Sequence, residues 1–112
     1  MGILIGKYNF EGPYTSIKKL KNKSGIYAIH TLTDDGFELI DIGEAAMIKE
    51  RVHSHERMKC WIRHCDDEIY VSAFYTPHWN QMGRKKLSNQ LRNMLNPPCG
   101  SKLDGKFDFL VR

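Results

Sequence analysis

The side chains best suited to chemistry in this sequence are an arginine and a histidine four residues apart, Arg51 and His55. At that spacing the two lie side by side on a helix, along one border of its apolar stripe. A guanidinium fits phosphate oxygens, and a histidine can transfer a proton or bind phosphate. A charge at that border can face the sheet edge and a crevice rather than open solvent. The structural alternative is that Arg51 pairs with Glu44 or Glu56, and that His55 is an ordinary boundary residue.

Further positive charge lies on two helical segments. Arg57 and Lys59 follow on the first, and Arg84 and Arg92 flank Ser88 on the second. Positions 84, 88 and 92 have the spacing of one ridge beside an apolar stripe. We interpret the four charged side chains as candidate contacts to phosphate.

The composition is that of a globular protein with a modest core. The chain has 112 residues, 41% hydrophobic and 27% charged, so one domain over residues 1–112 is expected. Its net charge of +4 and pI near 9.0 weakly favour a polyanionic partner, although small proteins often carry such a charge. No apolar run approaches a membrane span, and the N-terminal apolar segment is too short for a signal peptide. A cytoplasmic protein with no membrane partner is expected.

The chain has three cysteines, Cys60, Cys65 and Cys99. An odd number without an export signal predicts reduced thiols in a cytoplasm. Nearby histidines make a zinc site conceivable, but Cys60-x-x-x-His64-Cys65 does not match the usual ligand spacings. Buried or surface thiols are the simpler interpretation.

Hydrophobic periodicity predicts the elements that position these side chains. Residues 1–23 are expected to form an extended N-terminal arm with a short basic helix, and residues 24–43 a β-hairpin with its turn at Asp34-Asp35-Gly36. One register of this hairpin brings Tyr27 and Asp41 together, and a slip of one residue separates them. The sequence leaves both registers open.

The second half of the chain predicts a helix over 45–64, a third strand over 68–76, a helix over 84–96 and a tail over 101–112. Together the elements predict an α+β fold with three strands, and the resemblance described next implies that they form a small, mainly antiparallel sheet flanked by helices. Its core spans about 24–100.

The order of these motifs resembles the GIY-YIG nuclease superfamily. Gly25-Ile26-Tyr27 matches its first motif, and Ile42-Gly43 matches the end of its second. Arg51 falls where the family has its helical arginine, and His55 follows in the recurrent Arg-x-x-x-His pattern. The resemblance covers about 25–100 and looks like one small bacterial and phage-type branch. It implies a small antiparallel sheet covered by helices.

Three positions depart from the family pattern. Asp41 stands where the second motif has a tyrosine, Ser88 where the late helix has its metal-binding glutamate, and Gly100 where an asparagine follows that helix. Serine is a poor replacement for a carboxylate on a hard cation. Asp41 and Glu44 are the alternative carboxylates for a displaced metal site.

The resemblance implies hydrolysis of a phosphodiester by in-line attack of water. Tyr27 would activate or orient the water, Arg51 would steady the phosphate charge and His55 would assist proton transfer, with Mg²⁺ or Mn²⁺ as cofactor. Ionising a tyrosine of ordinary pKa at pH 7 costs roughly 4 kcal/mol, a cost that a nearby metal lowers.

Three functions follow from these observations. The first is a metal-dependent endonuclease, weakened by the serine at position 88. The second is a nucleic-acid-binding module that no longer cleaves, with DNA favoured over RNA by the resemblance. The third is a protein-interaction domain, indicated by Trp79 in a loop that is expected to be exposed.

Overall fold

A computed structural model describes residues 2–66 and 68–100, and its centre is one antiparallel sheet of five strands in the order β1-β2-β5-β3-β4. The strands are β1 (Gly2–Ile5), β2 (Tyr8–Tyr14), β3 (Gly25–Thr33), β4 (Gly36–Ala45) and β5 (Tyr70–Tyr75). The mixed α and β class of the prediction is confirmed, whereas the predicted count of three strands is wrong. Strand β3 is buried on both faces from Gly25 to Thr31, as its largely apolar faces predict.

The helices cover both faces of the sheet. They are a short 3₁₀ helix (Ile17–Lys19), α1 (Ile48–His53), α2 (Met58–His64) and α3 (Gln81–Leu95). One apolar cluster includes Tyr27 with Ile48 of α1 and Trp61 of α2, and a second includes Phe10 with Leu91 of α3. Within the described residues, no helix is both long and apolar enough to cross a membrane.

The two missing strands come from the predicted N-terminal arm. β1 and β2 turn at Gly6, which has a φ of +61°, and β2 pairs with β5. Gly12-Pro13, which resembles a turn, lies inside β2, where the register shifts between Glu11 and Tyr14. Such an irregularity tolerates a proline because the missing N–H is not needed there.

The helix predicted over 45–64 is two helices, separated at Ser54–Arg57. The backbone N–H of Arg57 donates to Nδ1 of His55 at 3.0 Å. This local bond replaces a bond to a helical carbonyl, so the chain turns and His55 enters the interior.

The segment Pro97–Gly100 covers the outer edge of β4, and we call it the covering segment. Cys99 N–H donates to the Ile40 carbonyl at 3.0 Å, and a disulfide joins Cys99 to Cys60 of α2. The prediction that all three thiols are reduced is therefore wrong for this pair. Cys65 is the free cysteine of the described chain and is buried. The predicted tail over 101–112 lies outside the described residues.

Gly43 is required because the Tyr27 ring packs directly on its backbone. A Cβ at Gly43 would lie 2.6 Å from Cζ of Tyr27. We expect Gly43→Ala to lower the free energy of unfolding by about 1–3 kcal/mol, measured by urea denaturation. Gly83→Ala is the control, since a Cβ there meets Asn80 Oδ1 at 3.4 Å and should stabilise helix α3 by about 0.5–1 kcal/mol. Equal effects of the two changes would contradict the packing argument.

Candidate functional site

The site begins with a buried tyrosine–histidine pair. Tyr27 is 1% exposed, and its Oη lies 2.5 Å from Nε2 of His55. Burial, followed by the charges of Arg57 and Arg51, lowers the pKa of His55 to about 4, so the ring is neutral at pH 7. Because Nδ1 already accepts the Arg57 N–H, the ring proton belongs on Nε2 and is donated to Tyr27.

Tyr27 is a poor base in this setting. Burial raises its pKa to about 12, although the neighbouring charges of Arg57 and Arg51 oppose this rise. Ionising the phenol at pH 7 would therefore cost about 7 kcal/mol. The expected role of Tyr27 in activating water would need a strong opposing charge close to its oxygen.

Arg51 faces a carboxylate at the mouth of this pair. Its Nη1 and Nη2 donate to the two oxygens of Glu56 at 2.5 and 2.6 Å. The hydrogen bonds from Arg51 lower the pKa of Glu56 to about 2. Of the two ion pairs that the sequence left open, the one with Glu56 is the one that forms. A depression of about 530 Å³ adjoins the pair and is lined by His53, Ser54, His55, Glu56 and Met58.

Asp41 is completely buried at the centre of a second network. Its carboxylate accepts hydrogen bonds from Arg57 Nε at 2.7 Å, Trp61 Nε1 at 2.6 Å and Ile42 N–H at 2.7 Å. Arg92 Nη1 is a further 3.4 Å away. With its oxygens already occupied by donors, Asp41 does not offer the open ligand that the displaced metal site required.

The hairpin register places Asp41 and Tyr27 on one face of the sheet. Tyr27 is opposite Gly43, and Asp41 is opposite Ile29, two residues further along β3. Successive side chains of a strand alternate between faces, so both members of the pair point toward α1 and α2. The register that brings Tyr27 and Asp41 together is the one observed.

The ridge on α3 faces the sheet edge and not the tyrosine. Ser88 is buried and its hydroxyl donates to the Lys85 carbonyl at 3.2 Å. Arg84 Nε lies 3.4 Å from Glu44 Oε1, a charge contact without hydrogen-bond geometry, since neither atom has a hydrogen-bond partner in the described chain. Glu44 is thus held next to a cation and not left free for a metal.

Arg92 connects the ridge to the covering segment. Its guanidinium donates to the carbonyls of Ile42, Cys99 and Gly100. Gly100 has a φ of +70°, and a Cβ there would lie 2.6 Å from Arg92 Nη1. Burial lowers the pKa of Arg92, although the charge of Asp41 opposes this effect. The backbone of the covering segment therefore occupies an arginine that we expected to contact phosphate.

The structure brings together some of the predicted site residues and separates others. Tyr27, His55 and Arg51 lie close together, and Asp41 with Arg57 lies beside them. Lys59 is exposed on α2. The sequence interpretation did not foresee that Trp61 donates to Asp41, or that Gly100 packs against Arg57 and Arg92. A buried indole N–H usually finds a hydrogen-bond partner. This rule, applied to Trp61, could have indicated the contact with a polar side chain such as Asp41.

Two buried histidines predict a loss of stability in mild acid. Burial lowers the pKa of His30, like that of His55, from an ordinary 6.5 to about 4. The unfolded chain therefore takes up protons below pH 6.5 that the folded chain refuses until near pH 4. We expect the free energy of unfolding to fall across this window, by at most about 3 kcal/mol for each histidine.

Urea denaturation between pH 7 and pH 4 measures this effect. His30 Nε2 lies 2.7 Å from Ser72 Oγ, so His30→Gln can keep a hydrogen bond without titrating and should flatten the profile by about half. The exposed His53→Gln is the control and should leave the profile unchanged. A wild-type profile that is flat down to pH 4.5 would show that the two histidines are not buried in their neutral form.

Comparison with known proteins yields no relative: no family model, no curated protein and no solved structure matches the chain.

Proposed function

We propose that the chain is a nucleic-acid-binding module on a GIY-YIG-like scaffold, which holds DNA without hydrolysing it. DNA is preferred over RNA on the resemblance alone. One observation carries the proposal. Each carboxylate around the site lies against an arginine: Asp41 against Arg57 and Arg92, Glu44 against Arg84, and Glu56 against Arg51.

This pairing favours binding over cleavage. Mg²⁺ and Mn²⁺ prefer carboxylate oxygens, and an arginine held at the same oxygens competes with the cation. With four arginines against three carboxylates, the site remains positive. Tyr27, with a pKa of about 12, adds a second obstacle to hydrolysis. Mg²⁺ or Mn²⁺, the expected cofactors, would therefore bind only if these arginine–carboxylate pairs were rearranged.

Exposed cations on three helical elements would supply most of the affinity for a polyanion. They are Lys18 and Lys19 of the 3₁₀ helix, Lys59 and Arg63 of α2, and Lys85 and Lys86 of α3. Arg51 would join them only by exchanging Glu56 for a phosphate. This exchange is plausible chemically because a phosphate accepts the same bidentate pair of hydrogen bonds as a carboxylate.

The exchange at Arg51 gives a sharp binding test. Glu56→Gln removes the competing charge, so we expect tighter binding to a DNA duplex and a salt slope that steepens by about 0.9. Fluorescence anisotropy over a range of salt concentrations measures both. Glu38→Gln makes the same charge change at an exposed position in the hairpin and should not steepen the slope. No binding by any of these proteins would contradict the proposal.

A plasmid-nicking assay with Mg²⁺ and Mn²⁺ tests the absence of cleavage. We expect no nicking by the wild-type protein. Metal-dependent nicking that Tyr27→Phe abolishes would instead assign the endonuclease function. Ser88→Glu is the comparison variant. Nicking by that variant alone would show that the wild type does not nick because it lacks the carboxylate at position 88.

A protein-interaction domain is the second candidate, favoured by the surface around Trp79. Trp79 is 40% exposed and borders a depression of about 420 Å³ that is also lined by Tyr8, Lys86 and Leu87. Aromatic side chains of this kind are typical of interface centres. An interaction protein would show neither salt-sensitive DNA binding nor nicking, so the two assays above separate the three functions.

A further inference from the structure

Two cysteines and a histidine meet where α2 contacts the covering segment. Cys60 and His64 are four residues apart on α2, and Cys99 comes from the covering segment. The two sulfurs and a ring nitrogen of His64 all lie within 4.8 Å of one another. Sulfur and imidazole nitrogen are the donors that zinc prefers. We propose that, once the Cys60–Cys99 disulfide is reduced, these three side chains bind one zinc ion.

The chemistry requires a reductant and two protons. A thiol reductant supplies two electrons, which break the S–S bond, and two protons give the thiols of Cys60 and Cys99. The reductant's own two thiols become a disulfide. Zinc then displaces the two thiol protons and binds both thiolates with the neutral imidazole of His64. Two thiolates neutralise the charge of Zn²⁺, and a water molecule completes a tetrahedron.

The positions of the three residues suit this exchange. Residues four apart on a helix lie on one face, so Cys60 and His64 can reach the same ion. Two sulfurs on one zinc are about 3.8 Å apart when each bond is about 2.3 Å, so Cys99 must withdraw by a small distance. Cys99 lies in an irregular segment after α3, which can absorb that movement more easily than a helix can.

Cys65 is excluded from the site, although the sequence places it next to His64. It is buried, and its Sγ lies 3.7 Å from the His30 carbonyl, as a donor to that oxygen. The third ligand comes instead from Cys99, 39 residues after Cys60, which lies outside the local Cys60-x-x-x-His64-Cys65 pattern. Zinc would thereby tie α2 to the covering segment in a reducing compartment, where the disulfide would not persist.

Cobalt substitution tests the site directly. The protein is reduced, freed of reductant without air and titrated with Co²⁺. We expect one equivalent to bind with thiolate-to-cobalt charge-transfer absorption and the visible bands of tetrahedral cobalt, and Zn²⁺ to abolish both. The oxidised protein should show neither signal. Absence of thiolate charge transfer in the reduced protein, or an equal signal in the oxidised protein, would overturn the proposal.

Two variants identify the ligands. His64 is exposed on α2, so the His64→Ala protein should fold normally by circular dichroism. It should bind zinc roughly tenfold or more weakly, measured with a competing chelator. Cys65→Ser is the matched control and should bind like the wild type. Unchanged affinity of His64→Ala, or loss of the signal in Cys65→Ser, would assign the metal to other residues. DNA binding is not part of this readout, so the result is independent of the function proposed above.

Discussion

Replacing Asp41 with asparagine is expected to lower the free energy of unfolding by about 3–5 kcal/mol. The carboxylate is completely buried and accepts hydrogen bonds from Arg57 and Trp61. An asparagine oxygen at the Oδ2 position can still accept from both of these donors, but the amide NH2 then faces the Ile42 N–H, and the guanidinium of Arg92 is left buried without a counter-charge. Urea denaturation at pH 7 measures the change.

Two further variants test the cause of that loss. Asp41→Asn combined with Arg92→Met removes both members of this charge pair, so it should cost less than the sum of the two single changes, with a coupling energy of about 1 kcal/mol or more. Glu56→Gln breaks the ion pair at the surface, where Glu56 is 60% exposed, and should cost less than about 1 kcal/mol. An Asp41→Asn protein within about 1 kcal/mol of the wild type would mean that the buried network does not stabilise the fold.

The second large effect is expected from Trp61. Its side chain is fully buried, and its N–H donates a hydrogen bond to Asp41. The centroids of the Trp61 and His55 rings lie 4.5 Å apart. Trp61→Ala should lower the free energy of unfolding by about 3–5 kcal/mol. Trp61→Phe keeps most of the volume and should cost about 1–3 kcal/mol, mainly from the lost hydrogen bond to the buried Asp41 carboxylate, whose Oδ2 then accepts from Arg57 alone.

The chain provides its own control for this prediction. Trp79 is the other tryptophan and is partly exposed, so Trp79→Ala should change the free energy of unfolding by about 0.5 kcal/mol. Urea denaturation of the three variants gives the ranking. Similar costs at positions 61 and 79 would contradict the central position of Trp61 in the core.

Local patterns predicted the elements that depend on local physics. Leu87 and Leu91 recur on one face of α3, and the alternation of the chain around Tyr70–Tyr75 marks β5. The N-terminal strands escaped prediction because their partner is distant: Glu11 pairs with Ala73, and nothing near Glu11 in the sequence indicates that pairing. Gly12-Pro13 instead indicated a turn, although it lies inside β2.

The candidate site was likewise predictable from the sequence only in part. The resemblance placed Arg51 and His55 in one site with Tyr27, and His55 does contact Tyr27, but it does so from the break after α1 and not from the helix that the spacing predicted. The sequence could not decide which carboxylate each arginine would meet, because Arg57 and Asp41 belong to different elements and meet only after the sheet and α2 have packed. Likewise, the break after His53 depends on a single bond from the Arg57 backbone to His55.

The covering segment also bears on how the protein is made. On the outer edge of β4, the Ile40 carbonyl accepts from the Cys99 N–H and the Ile42 carbonyl accepts from Arg92. Both donors are synthesised more than 45 residues later. A nascent chain on the ribosome can complete the β3–β4 hairpin well before it contains those residues. During that interval the edge is open to pairing with a strand of another chain. The nascent protein is therefore expected to need a chaperone most while residues 46–92 are being made.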